Sequence, residues 1–162
     1  MEPPPPAAFP LPEPPRPFGR GNINVGLGLG FSAGAGETAF SVGGAFGYFV
    51  LDGLEPGLQL DVTFGSNRPT VTALLPYLRW IFYRSYSVSP YLKAQGGRFF
   101  VTGHADVTAL GGGGGIVVFI SRRVGLQLEG LVFRLFPKDV CADECTVTDF
   151  GLSFGIYFDT SG

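Results

Sequence analysis

The sequence predicts an all-β fold, an eight-stranded antiparallel up-and-down transmembrane β-barrel with a proline-rich, disordered N-terminal tail. Three observations predict it. A period of two recurs eight times between residues 22 and 159, which is the mark of a strand with one apolar face and one small or polar face. Each run is roughly 9 to 13 residues long, enough for the ~9 to 11 residues that a tilted strand needs to cross a bilayer. The apolar faces also carry more large side chains than so narrow a barrel can hold inside.

The last run is the most regular. In Asp149 to Asp159 the even positions are Phe150, Leu152, Phe154, Ile156 and Phe158, and the odd ones are Asp, Gly, Ser, Gly, Tyr and Asp. The first, Asn22 to Ser32, sets Ile23, Val25, Leu27, Leu29 and Phe31 against Asn24, Gly26, Gly28, Gly30 and Ser32, and residues 33–37 turn it back. The second, Thr38 to Val50, sets Phe40, Val42, Phe46, Tyr48 and Val50 against Ala39, Ser41, Gly43, Ala45 and Gly47. Leu51 to Pro56 reads as a turn from its Asp-Gly pair and its proline.

The third run, Gly57 to Gly65, opposes Leu58, Leu60, Val62 and Phe64 to Gln59, Asp61 and Thr63. The fourth, Thr70 to Tyr83, opposes Leu74, Leu78, Trp80 and Phe82 to Tyr77 and Arg79. In the fifth, Pro90 to Val101, Lys93 and Gln95 share a face, and a bulge at Gly96-Gly97 would return Arg98 to it. The sixth, Ala109 to Ile120, opens with five glycines and ends with Ile116, Val118 and Ile120 on one face. No Gly-Lys-Ser/Thr follows those glycines and they feed a β-branched strand, so they do not read as a phosphate-cradling loop. The seventh, Val124 to Phe136, opposes Val124, Leu126, Leu128 and Val132 to Gln127 and Glu129.

The six cleanest strands offer twenty-seven large apolar side chains to one face. A closed eight-stranded barrel seats only about a dozen inside, so this face must look outward, into lipid or a partner protein. The opposite face holds Gln59, Asp61, Arg79, Lys93, Gln95, Gln127 and Glu129 in the third, fourth, fifth and seventh strands. These long polar groups can lie across a floor of Gly, Ala and Ser from the other strands. Two acids and two bases cancel there, as a buried interior requires when an unpaired ion costs several kcal/mol. The same polar residues facing water would make a soluble, lipocalin-like barrel that binds an apolar ligand, which is the alternative. Aromatics divide between the two ends: Tyr48, Trp80, Phe82, Tyr83, Tyr91, Phe119, Tyr157 and Phe158 at one, and Phe31, Phe40, Phe64, Phe99, Phe133, Phe136 and Phe150 at the other. Two aromatic belts around an aliphatic band are what membrane interfaces select.

Composition agrees and closes off other classes. With 26 Gly, 16 Phe and 15% charged residues, the chain is unlike a soluble domain, and a net charge of −2 offers no basic surface for nucleic acid. No window reaches the ~18 to 20 apolar residues of a membrane helix. Residues 1–21 form a proline-rich tether, residues 22–159 the barrel, and residues 160–162 a short tail. The opening Met1-Glu2-Pro3-Pro4 lacks the basic and apolar regions of a secretory signal, so the expectation is a signal removed from this numbering. Cys141 and Cys145, four apart in an acidic segment, make a poor zinc site; a short loop disulfide is expected, with two free thiols as the alternative.

Residues 22 to 159 resemble the small OmpA/OmpX-type outer-membrane barrels of Gram-negative bacteria. The likeness is carried by the eight strands, the strand openings Pro76-Tyr77 and Pro90-Tyr91, the turn Ser121 to Leu126, and the final strand. That strand looks like the family's assembly signal, with Asp149, Gly151, Phe154 and Ile156 at its positions; four residues after Phe158 depart from the family's aromatic ending. The resemblance implies a bacterial outer-membrane location, outer-membrane lipid as solvent, insertion by the barrel-assembly machinery, and both termini in the periplasm.

Three kinds of function fit such a barrel. One is a non-enzymatic integral protein whose interior is plugged by an Asp61/Glu129/Arg79/Lys93 network and which serves an envelope-structural or interaction role. A second is a narrow channel for ions or small solutes, favoured by the interior glycines. The third is a lipid-modifying enzyme, which needs a His–Ser or similar pair near the membrane surface. The single histidine, His104, has no serine in its loop, residues 102–106. No cofactor, metal or catalytic residue is indicated. Among the outer loops only residues 137–147 offer a shaped, acidic surface for an extracellular or envelope protein partner.

Overall fold

The structure, a computed structural model, describes residues 17–34, 37–65, 69–85, 87–136 and 146–160. Eight strands follow one another: β1 (Ile23–Gly34), β2 (Glu37–Tyr48), β3 (Leu54–Phe64), β4 (Val71–Ile81), β5 (Val88–Val101), β6 (Val107–Phe119), β7 (Val124–Phe136) and β8 (Thr146–Phe158). Each pairs antiparallel with the next, and β1 pairs with β8 from Ile23↔Phe158 to Ala33↔Thr148, so the barrel is closed and no strand edge is left free. The start of β1, the end of β8 and the turns β2–β3, β4–β5 and β6–β7 gather at one rim, here the terminal end. The other connections form the loop end.

The faces fall as the alternation predicts. Leu27, Leu60 and Phe154 stand outward, Leu27 at 70% exposure, and Leu126 beside them is half-buried among its neighbours. On the inner face the floor of small residues receives the large ones. The Tyr77 ring covers Gly57, Tyr91 covers Gly115, Phe133 covers Gly111, and the Glu55 carboxylate lies over Gly47. At each of these glycines a Cβ would collide, so the interior is a set of rings and long chains laid into glycine notches.

The structure corrects the sequence reading in four places. β3 begins at Leu54, so Glu55 and Pro56 belong to a strand, and the turn is confined to residues 51–53 with Gly53 at φ 81°. Pro56 sits just past the last β2–β3 pair, Gly47↔Gly57, where a missing donor breaks no bond of that ladder. No bulge interrupts β5 at Gly96-Gly97: the pairing runs unbroken from Tyr91↔Gly115 to Phe99↔Val107, and Arg98 points out, exposed. Five of the belt aromatics, Tyr91, Phe99, Phe119, Phe133 and Tyr157, point into the barrel and pack there. The outward belts retain Tyr48, Trp80, Phe82, Tyr83 and Phe158 at the terminal end, and Phe31, Phe40, Phe64, Phe136 and Phe150 toward the loop end.

The fourth correction concerns the tail. Phe18 is buried at the terminal end against Phe49, Phe119 and Tyr157, with ring centroids 5.9, 5.3 and 5.4 Å away. Hydrogen bonds from Gly53 N to Phe18 O (2.9 Å) and from Gly21 N to Phe49 O (2.8 Å) fasten it. The folded unit therefore starts at or before residue 17 instead of residue 22. The rest of the predicted tail, residues 1–16, lies outside the described residues, as do Cys141, Cys145 and the acidic loop that contains them.

Candidate functional site

The interior is layered along the barrel axis, and the residues that fill it arrive from strands far apart in sequence. At the terminal end, Phe18, Phe49, Ile81, Tyr91, Val117 and Tyr157 form an apolar cluster. Directly above it lies a polar layer centred on Glu55, which is fully buried. Its Oε1 accepts hydrogen bonds from Asn24 Nδ2 (3.1 Å) and Tyr77 OH (2.6 Å). Its Oε2 accepts from Arg79 Nε (3.0 Å) and pairs with the second guanidinium nitrogen, so the arginine grips it with two prongs. The remaining prong of Arg79 donates to Gln127 Oε1 (2.7 Å), and Gln127 Nε2 reaches Tyr157 OH (3.1 Å). The guanidinium also stands 5.3 Å from the centre of the Tyr91 ring. Side chains of β1, β3, β4, β7 and β8 thus meet across the lumen in one hydrogen-bonded sheet of atoms.

A second layer follows toward the loop end. Lys93 Nζ donates to Gln59 Oε1 (2.6 Å) and to both carboxylate oxygens of Glu129 (3.2 Å each). Tyr91 OH donates to the same carboxylate (3.0 Å), and Gln59 Nε2 donates to Asp61 Oδ2 (2.7 Å). The lysine also lies 5.0 Å from the centre of the Tyr77 ring. Free volume around these layers is about 50 Å³, room for only a few water molecules.

Every residue predicted for the interior network is inside: Gln59, Asp61, Arg79, Lys93, Gln95, Gln127 and Glu129. Their partners differ from the expectation. Arg79 pairs with Glu55, not with Asp61 or Glu129, and Lys93 alone takes Glu129. Gln95 is buried beside them, and its Oε1 has no hydrogen-bond partner among the described residues. The predicted cancellation of charge does not hold either. Glu55 and Asp149 also face inward, so among the described residues four carboxylates share the interior with two cations.

Glu55 was missed because Asp-Gly and Pro flank it and read as a turn. Phase would have found it: Glu55 stands two and four residues before Gly57 and Gln59, on their face. The residues read as an assembly signal divide between faces, with Asp149 and Gly151 inward and Phe154 and Ile156 outward. His104 is exposed in the β5–β6 turn, with Nδ1 3.3 Å from the Thr102 carbonyl oxygen.

Comparison with known proteins turns on this architecture. No family model matches the chain, and no curated protein does. Among solved structures, the N-terminal β-barrel domain of Pseudomonas aeruginosa OprF matches with a TM-score of 0.66 at 17% identity, covering 86% of this chain and 99% of that one. Neisserial surface protein A matches with a TM-score of 0.60 at 17% identity, over 84% and 94% of the two chains. The outer membrane enzyme PagL matches with a TM-score of 0.55 at 11% identity, over 82% and 98%.

The fold is that of the small outer-membrane β-barrels. In an outer-membrane barrel the apolar outer face is the part that lipid covers, and the exposed aliphatic and aromatic side chains of this chain have no other solvent in which a closed barrel stays dispersed. The same outer-membrane barrel frame carries the enzyme PagL, so function has to be argued from the interior and the loop end.

Proposed function

We propose that the protein is an integral, non-enzymatic barrel of the bacterial outer membrane with a plugged interior, in an envelope-structural or interaction role, and with both termini in the periplasm. One observation carries the reading. The Glu55–Arg79–Gln127–Tyr157 layer spans the lumen and rests on the apolar cluster capped by Phe18, so the terminal half holds no continuous polar path. A hydrated ion would have to part a doubly gripped salt bridge whose two side chains are 3% and 0% exposed. The opposite rim is the surface that a partner outside the cell would meet.

Reconstitution tests this. Protein refolded into a planar bilayer is expected to show no steady conductance, while migrating at a different apparent mass before and after boiling. Steady openings that change in Arg79→Ala would instead favour a narrow channel.

A further inference from the structure

Beyond the second layer the interior changes character. A cavity of about 190 Å³ occupies the loop half of the barrel. Its wall is apolar, built from Leu75, Phe99, Phe133, Leu135 and Val147, and its floor is Ser41, Asp61 and Asp149. Phe99 and Phe133 meet edge to face, ring centroids 6.0 Å apart at 81°. Both interior cations are committed deeper down, Arg79 to Glu55 and Lys93 to Glu129. Among the described residues no cation lies within ion-pair distance of Asp61 or Asp149. Asp61 receives one side-chain hydrogen bond, from Gln59, and Asp149 Oδ1 is buried with no partner.

Apolar walls and an acidic floor set opposite demands on a ligand. The walls reject a hydrated ion, and two carboxylates with the hydroxyls of Ser41 and Thr63 fall short of the ~6 to 8 oxygens that a calcium ion takes. The floor rejects an anion, and a neutral apolar molecule leaves both carboxylates without a counter-ion. We propose that this vestibule is a binding site for an organic monocation with a compact apolar body: an ammonium group, set between Asp61 and Asp149, carried on a single ring or a short branched chain against Phe99 and Phe133. Size agrees, since a dry cavity of about 150 Å³ accepts benzene and this one is somewhat larger. The site lies on the loop side of the closed layers, so binding neither needs nor implies conduction.

Titration of the full chain, refolded in non-ionic detergent micelles, with benzylammonium chloride tests the site. Benzyl alcohol and benzoate serve as neutral and anionic matches of the same size, and the aromatic and methyl NMR signals of the barrel report binding. Saturable binding of benzylammonium is expected, about tenfold or more tighter than benzyl alcohol, the scale of one charge-assisted hydrogen bond. Benzoate should not bind. Asp61→Asn combined with Asp149→Asn should reduce benzylammonium to the level of the alcohol. Thr63→Phe, which fills the cavity and keeps both carboxylates, should abolish saturation. Should the double variant fail to fold, the wild-type preference for the ammonium and its loss in Thr63→Phe decide the matter. Equal response to all three probes, or saturation that survives Thr63→Phe, would overturn the proposal while leaving the closed-barrel reading untouched.

Discussion

Glu55 shows how much of the interior depends on single groups. Its carboxylate accepts from Asn24, Tyr77 and Arg79 at zero exposure. Removing either charge leaves the other buried without its counter-ion. Glu55→Ala or Arg79→Ala is therefore expected to cost about 3–5 kcal/mol of stability, read from urea unfolding in detergent. Glu55→Leu with Arg79→Met should cost less than the two single changes added together, because no uncompensated ion remains. Lys93 and Glu129 form the same kind of pair in a less enclosed place, with side chains 6% and 14% exposed. The single change Glu129→Ala should therefore be milder than Glu55→Ala.

At the level of the strands, glycine does opposite things on the two faces. Gly57 faces inward, and an added Cβ would meet the Tyr77 ring and come 2.6 Å from the Phe46 carbonyl oxygen. Gly44 faces lipid, and its added Cβ would find nothing nearer than 3.6 Å. Gly57→Ala should accordingly cost about 1–3 kcal/mol by overpacking, and Gly44→Ala should be close to neutral in the same unfolding measurement. The loop-end stretches of β4, β5 and β7 have a signature of their own. Where Ala73 to Leu75, Phe99 to Val101 and Leu131 to Phe133 stop alternating and turn apolar on both faces, the outer residues face lipid and the inner ones wall the vestibule or pack beside it. A run that is greasy on both sides of a strand is one buried on both sides.

For the whole molecule, solvent and core have changed places relative to a soluble barrel: hydrocarbon meets the outside, and a polar network between two apolar clusters fills the inside. An arginine at mid-strand on the outside, Leu27→Arg, should cost about 2–4 kcal/mol in lipid vesicles. The cost should fall for substitutions nearer either rim, measured as the shift in the unfolding midpoint. A uniform cost along the strand would mean that no bilayer covers this face.

The alternation of β1, β2, β3, β4, β7 and β8, with more large apolar side chains than a narrow barrel seats inside, by itself determined a barrel with its apolar side out, because side-chain direction in a strand follows local sequence with a strict period of two. It also determined the interior membership of Gln59, Asp61, Arg79, Lys93, Gln95, Gln127 and Glu129, which share that phase. Only the closed tertiary structure decided that Arg79 takes Glu55 while Lys93 takes Glu129, that Tyr91, Phe99, Phe119, Phe133 and Tyr157 turn inward, that Phe18 stoppers the terminal end, and that Asp61 and Asp149 share a floor with no counter-ion among the described residues. Arg79 and Glu55 stand opposite each other on neighbouring strands, but Lys93 reaches Glu129 across β6, and Asp61 and Asp149 lie three strands apart around the wall. Phase along one strand says which way a side chain points, but the stagger of eight strands around a closed wall sets its height, and height decides whom it meets.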